Sequence, residues 1–120
     1  MSRTSVITHK DKPIVHIDVR GEQDVKVSLA CFDKARELLS HFPPKSGRLL
    51  TDVTGTRYTM EAAQALKTFS SAITPYVKAS AAVGIDGLKA IIIRTLVTLT
   101  GRNIQIFDNV DKAKDWLATQ

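Results

Sequence analysis

The residues from Asp52 to Glu61 have the types and the spacing that could bind an anion or a partner. A short apolar strand ends at Asp52, a turn of threonines and one glycine follows, and Thr59 precedes a long helical pattern. In open α/β sheets, ligands usually bind at the carboxyl ends of the strands. Backbone amides and the Arg57 guanidinium could hold an anion there, although one glycine and one arginine are a weak signal. The predicted binding residues are Asp52, Thr54, Gly55, Thr56, Arg57, Tyr58, Thr59 and Glu61.

The carboxylate of Asp52 has a chemical and a structural interpretation. It could act as a general base or contact a partner, or it could accept hydrogen bonds from loop amides such as those of Thr54 and Gly55. We favour the structural role over catalysis and keep Asp52 as a binding candidate. No serine occupies a Gly-x-Ser-x-Gly elbow. We predict no catalytic residue, and in an enzyme Asp52 would be the central one.

Histidine and cysteine give little reason to expect a metal or a cofactor. His16 and Asp18 share one face of a predicted strand, but metal sites need three or four ligands. We therefore expect solvated side chains on an uncovered sheet face. Cys31 is the only cysteine, which excludes an intrachain disulfide and a thiolate metal site. Its apolar neighbours predict a small core residue, and we predict neither a metal nor a cofactor.

Length and composition predict one domain spanning residues 1–120. Hydrophobic residues make up 43% of the chain and charged residues 24%, the proportions of an ordinary globular protein. No apolar run approaches the roughly 20 residues that a membrane span needs, and the first residues lack the apolar core of a signal peptide. We expect a cytoplasmic protein without a transmembrane segment.

The net charge of +5 does not by itself predict nucleic-acid binding. Lysine and arginine number nine in residues 1–48 and eight in residues 49–120, so the positive charge forms no block. Nucleic-acid binders concentrate such charge on one face and add stacking aromatic side chains. We predict a basic surface that does not bind nucleic acid.

Hydrophobic spacing predicts strands and helices in the order β-β-α-β-α-β-α-β-α. The predicted strands are residues 4–8, 14–19, 49–53, 81–85 and 103–107. Pro75 ends or restarts the second helix, and Gly101 ends the third. The residues predicted to cap the helices at their N-termini are Asp24 or Ser28, Thr59, Asp86, and Asp108 or Asn109.

Alternation in the second strand predicts how the helices are distributed. Residues 15, 17 and 19 are all apolar, whereas the opposite face carries His16 and Asp18. Strands covered on both faces are apolar throughout, so most helices should pack on one face of the sheet. With right-handed crossovers, the predicted fold class is α/β, a singly wound βα superhelix.

The helix at residues 88–99 is more apolar than one core contact requires. Its predicted core stripe consists of Leu88, Ile91, Ile92, Leu96 and Leu99. Ile93 and Val97 broaden that apolar surface. The predicted self-association or ligand face is Ile92, Ile93, Leu96 and Val97. A homodimer is the first interpretation, burial under the next helix the second, and a lipid or apolar-ligand groove, or a peripheral membrane contact, the third.

Several segments together resemble the STAS/SpoIIAA-like superfamily, in particular its uncharacterised STAS/SEC14-like branch. They are residues 49–55, 82–88, 100–101 and 106–108, with Ala113, Trp116 and Leu117 near the end. The resemblance covers essentially the whole chain. It implies a SpoIIAA-like right-handed βα superhelix with a mostly parallel five-stranded sheet and an antiparallel N-terminal strand. Four to five helices would pack mainly on one face.

The resemblance also implies a function, with one departure. Anti-sigma-factor antagonists of this superfamily carry a phosphorylatable serine at the start of the helix after the third strand. Here that segment is Tyr-Thr-Met-Glu-Ala at residues 58–62, without an Asp-Ser-Ser-Gly pattern. We interpret Thr59 as an N-cap and Glu61 as a fixed negative charge at the helix dipole.

Two functions follow from the resemblance and the residues together. The first is a non-enzymatic domain that regulates a protein partner in a bacterial cytoplasm, without a phosphoserine switch. The alternative is a SEC14-like domain that binds a lipid or another apolar small molecule.

Overall fold

A computed structural model describes residues 2–57 and 59–120, and of Leu88 it describes the backbone alone. Within those residues the chain forms five strands and four helices. In chain order they are β1 (Arg3–His9), β2 (Lys12–Asp18), α1 (Val25–Leu39), β3 (Gly47–Asp52), α2 (Met60–Ile73), β4 (Val77–Val83), α3 (Gly87–Thr100), β5 (Ile104–Phe107) and α4 (Val110–Ala118). None of these helices is both long and apolar enough to cross a bilayer.

The five strands form one sheet in the order β1-β2-β3-β4-β5. β1 and β2 are antiparallel, and the other neighbours are parallel. Lys10 and Asp11 connect β1 to β2 with φ values of 50° and 65°, as a tight hairpin turn of matching twist requires. The predicted α/β fold, with its antiparallel N-terminal strand, is therefore confirmed.

Helices cover the two faces of the sheet unequally. Side chains of α1 and α2 pack on the face that carries Val15, Ile17 and Leu49. On the opposite face, Ala113 and Leu117 of α4 pack against an apolar cluster formed by Ile14, Leu50, Ala79, Ala81 and Val83. Most helices thus pack on one face, as predicted, but the opposite face is not uncovered, because α4 lies over its centre.

The helix ends follow the predicted capping chemistry. The side chains of Asp24, Asp86 and Asn109 accept from backbone amides in the first turns of α1, α3 and α4. Thr59 Oγ1 accepts from the Ala62 amide at 3.0 Å, which confirms it as the N-cap of α2. At the end of α3, Gly101 takes the left-handed conformation at φ 67°, which glycine adopts without steric cost.

The fourth strand begins four residues earlier than predicted. β4 starts at Val77, directly after the turn that Pro75 and Tyr76 make at the end of α2. Exposed Lys78 and polar Ser80 hid this start from a hydrophobic pattern, although the sheet buries Val77 and Ala79. Ile85 lies beyond the strand, in the loop before α3.

Candidate functional site

Asp52 lies at the end of β3 and fixes the turn that follows. One carboxylate oxygen accepts from the Thr54 amide at 3.1 Å and from the Thr54 hydroxyl at 2.7 Å. Only 2% of the residue is exposed. The carboxylate therefore acts on its own loop, and its contact with a partner stays a prediction.

Gly84, at the end of β4, packs directly against this turn. It has a φ of +83°, and a Cβ atom there would overlap the backbone of Thr54. The Val53 amide donates to the Val83 carbonyl at 3.0 Å, which ties the two loops together. The turn after Asp52 thus has a fixed position at the carboxyl edge of the sheet.

The other predicted binding residues that the structure describes lie in this turn or just after it, and they are exposed or half-buried. The Gln23 side chain donates to the Gly55 carbonyl at 2.8 Å, and the Arg57 amide donates to the Glu22 carbonyl at 2.9 Å. Arg57, Thr59 and Glu61 line a shallow groove with the segment 23–26. Thr54 and Gly55 are exposed, and Thr56 is half-buried with its hydroxyl on the Val53 carbonyl. Tyr58 lies outside the described residues.

A charged cluster that sequence reasoning missed lies around Asp52 on the α4 face. Asp18 and Asp52 are register partners of β2 and β3. Arg20 binds Asp18 through two side-chain hydrogen bonds of 2.9 Å, and its Nε lies 3.7 Å from Asp52. Arg20 lowers the pKa of Asp18, chiefly through those hydrogen bonds. Strand pairing is not encoded in local spacing, so the contact between Arg20 and Asp52 was not predictable from the sequence.

His16 lies beside the cluster and is half-buried. Burial lowers its pKa below the ordinary value, while Asp18 and Asp52 oppose that shift. Its Nε2 is buried with no hydrogen-bond partner among the described residues. In that same part of the chain, no three His, Cys, Asp or Glu side chains are grouped to hold a metal ion.

A cavity of about 100 Å³ lies on the other face, between the sheet and helices α1, α2 and α3. Its walls are almost entirely apolar. They include Phe32, Leu66, Phe69, Ile85, Ile92, Ile93, Leu96 and Ile104. We refer to it as the sheet–helix cavity.

The predicted apolar face of α3 divides around this cavity. Ile92, Ile93 and Leu96 line it, whereas half-buried Val97 does not. The predicted core stripe was wrong at Ile91 and Leu99, which are 57% and 71% exposed. A helix that is apolar on all sides gives no periodic signal for its buried face. The side chain of Leu88 lies outside the described part of the chain.

Arg102 lies at the cavity wall and is only 9% exposed. Its two terminal nitrogens donate to the hydroxyls of Ser70 and Ser80, and its Nε has no partner in the described structure. Burial lowers the pKa of Arg102 to about 10, so it remains a cation at neutral pH. Sequence reasoning missed this residue, because a charged residue after Gly101 is typical of an exposed turn.

Comparison with solved structures identifies the fold. The chain superposes on an uncharacterised protein of the DUF3478 family from Shewanella loihica PV-4, which has a SpoIIAA-like fold. The TM-score is 0.72 at 16% sequence identity, over 98% of this chain and 95% of that chain. This chain has a SpoIIAA-like fold. The predicted resemblance is thus confirmed at the level of fold.

The SpoIIAA-like chain is also similar to an anti-sigma-factor antagonist (STAS) domain protein from Planctomyces limnophilus. That TM-score is 0.60 at 11% identity, over 97% of this chain and 98% of that chain. No protein-family model matches the sequence, and no curated protein matches it in sequence. Two sites on the SpoIIAA-like fold can therefore be compared as candidates: the surface groove at the start of α2 and the sheet–helix cavity.

Proposed function

We propose that this chain is a non-enzymatic binding domain whose ligand is a small apolar or amphipathic molecule held in the sheet–helix cavity. The observation that carries this proposal is an apolar cavity in a domain of only 120 residues. Protein interiors are close-packed, with few voids larger than a water molecule. One water needs roughly 10–15 Å³ of such space, so about 100 Å³ exceeds a packing defect.

The packing of α3 supports the same proposal. Leu96 is its only buried side chain among those that the structure describes. Ile92 and Ile93 face the cavity yet remain half-buried. An apolar ligand would cover these side chains. Each Å² of apolar surface that it removes from water would contribute about 25 cal/mol of favourable free energy to binding. α3 is therefore the helix that gains most from a bound ligand.

The size of the cavity indicates a short chain. An engineered apolar cavity of about 150 Å³ binds benzene, so a partly open cavity of about 100 Å³ should enclose roughly four carbons of a chain, with any further carbons at its open side. We choose 1-hexanol as the neutral probe. Its binding can be followed at millimolar concentration by NMR titration.

Ala82 offers a way to block the cavity without touching its rim. This residue lies on β4, lines the cavity and is 6% exposed. Ala82→Leu should fill the space and abolish 1-hexanol binding, while the variant stays folded. Ala30→Leu, on the exposed side of α1, should bind as the wild type does. Equal 1-hexanol binding by both variants would place the ligand elsewhere and defeat the proposal.

A ligand retained during purification would be a second readout. Native mass spectrometry of wild type and Ala82→Leu, prepared in parallel, should show bound mass in the wild type alone. Ligand-free wild-type protein across several preparations would count heavily against a tightly held lipid.

Regulation of a protein partner is the second candidate function. Arg57, Met60 and Glu61 are exposed at the start of α2, and Met60 is 83% exposed. A protein of the antagonist type has the same fold. A single exposed apolar side chain is normal on a protein surface, so this candidate rests on the shared fold and on the groove that Arg57, Thr59 and Glu61 line.

A pull-down with Arg57→Glu and Met60→Ala tests this second function. Both variants alter exposed side chains and leave the Asp52 turn intact. Loss of the same captured partner from both would support regulation through this surface. Retention of every partner by both variants would rule the surface out.

A further inference from the structure

We propose that Arg102 binds the carboxylate head group of an amphipathic ligand whose short apolar chain fills the sheet–helix cavity. This inference rests on the proposed function and names the chemistry of its ligand. The cavity thus has an apolar part for the chain and a cationic end for the head.

The charge balance of the cavity leads to this inference. Arg102 is more than nine-tenths buried, yet the only hydrogen-bond acceptors of its guanidinium in the described structure are two neutral hydroxyls. No acidic side chain lines the cavity in the part of the chain described. A buried charge without a counter-ion is costly, and an anionic ligand would supply that counter-ion.

Arg102 and its two serine partners all line the cavity. Arg102 Nε is buried and unpartnered. Ser70 and Ser80 each accept from the guanidinium, which leaves their hydroxyl protons available to a ligand. A planar carboxylate matches a guanidinium and can accept from it and from a hydroxyl together.

The number of charges favours a monoanion over a phosphate. Arg102 is the one cation in contact with Ser70 and Ser80 among the described residues. Lys89 and Arg57 also line the cavity, but both lie toward the carboxyl edge of the sheet, where the Lys89 ammonium donates to the Val53 carbonyl at 3.1 Å. Beside Ser70 and Ser80, one guanidinium neutralises one negative charge, so a dianion there would remain undercompensated.

Hexanoate and 1-hexanol each have six carbons, one of which belongs to the carboxylate in hexanoate, so the difference between their affinities reports chiefly on the head group. The wild-type protein should bind hexanoate about tenfold or more tightly than it binds 1-hexanol. This is the range expected for hydrogen bonds to a charged group. Acetate, which lacks the chain, should bind far more weakly than hexanoate. Acetate binding as tight as hexanoate would reveal a plain anion site and overturn the inference.

Arg102→Gln should remove the preference for hexanoate and retain 1-hexanol binding. Arg94→Gln, which removes an exposed charge from α3, should keep the preference. If the hexanoate preference survives Arg102→Gln, or is absent from the wild type, the inference is wrong while the proposed function stands. If neither hexanoate nor 1-hexanol binds, the proposed function fails as well.

Wild-type protein provides a test that does not depend on the stability of the variant. In a protein with ¹⁵N-labelled arginine, hexanoate should shift the Arg102 Nε–H resonance, and 1-hexanol should leave it in place. An Arg102 resonance that hexanoate does not move would overturn the inference even if Arg102→Gln fails to fold.

Discussion

At the residue scale, the polar side chains near the carboxyl edge of the sheet mainly stabilise the fold. Asp52 accepts two hydrogen bonds from Thr54, and Thr59 accepts one from the first turn of α2. Arg102 differs from them, because its charge is buried without a counter-ion in the described structure. A role in stabilising the fold therefore does not account for the burial of Arg102.

The turn after β3 should depend on the Asp52 carboxylate. Asp52→Ala leaves the Thr54 amide without its acceptor, which should lower the free energy of unfolding by about 1–3 kcal/mol. Asp33→Ala, on the exposed surface of α1, should change it by less than about 0.5 kcal/mol. Urea denaturation of the two variants measures both values, and equal small losses would show that the turn forms without Asp52.

His16 should make the protein less stable in mild acid. Burial lowers its pKa in the folded state below the unfolded value of 6.5. The unfolded chain therefore takes up the proton more readily, so the stability present above pH 6.5 is lost as the pH falls below it.

Denaturation at pH 7.5 and pH 5 would measure this dependence. The loss of stability should be smaller in His16→Gln than in wild type, and unchanged in His41→Gln, which alters an exposed histidine. An equal pH dependence in wild type and His16→Gln would contradict the prediction.

At the scale of elements, the loops after β3 and β4 are packed against each other. The contact of Gly84 with Thr54 leaves no space for a side chain. Gly84→Ala should lower the free energy of unfolding by more than about 2 kcal/mol, since it combines a strained φ with displacement of the turn.

Gly87 supplies the matched control for that substitution. It begins α3, and a Cβ there would meet no atom within 4 Å. Gly87→Ala should leave the free energy of unfolding within about 1 kcal/mol of the wild type, or raise it. Thermal denaturation of both variants measures the two changes in stability. A Gly84→Ala variant as stable as the wild type would mean that the two loops can separate.

Helix caps and strand order were predictable from the sequence because they depend on local chemistry. Asp86 and Gly101 sit at the two ends of α3, as their types predict. The buried face of α3 was not predictable, since Ile91 and Ile93 are equally apolar and only packing distinguishes them. Arg102 was not predictable either, because its partners lie 32 and 22 residues away in sequence.

At the scale of the whole molecule, the sheet separates two different environments. Alternate residues of β3 point to opposite faces, so Leu49 and Thr51 line the cavity while Asp52 joins the charged cluster. A ligand in the cavity would contact α1, α2 and α3 but not α4.

Self-association through Ile92, Ile93, Leu96 and Val97 stays a prediction, but three of these residues line the cavity. The outer side of α3 offers a different apolar surface for a dimer. Ile91 and Leu99 lie two turns apart there and are exposed. Light scattering at high micromolar concentration should give the mass of a dimer, and Leu99→Lys should give a monomer. Thr98→Lys, at a neighbouring exposed position, controls for the added charge. A wild-type monomer at that concentration would remove this interface.

The most direct test of ligand binding in the sheet–helix cavity is a methyl NMR titration of isoleucine-labelled protein with hexanoate. The methyl groups of Ile85, Ile92, Ile93 and Ile104 line the cavity, whereas Ile91 and Ile106 are exposed on the same helix and strand. We expect hexanoate to shift the four cavity resonances in a saturable way and to leave Ile91 and Ile106 unchanged. Uniform small shifts, or shifts confined to the two exposed isoleucines, would contradict a ligand in the cavity.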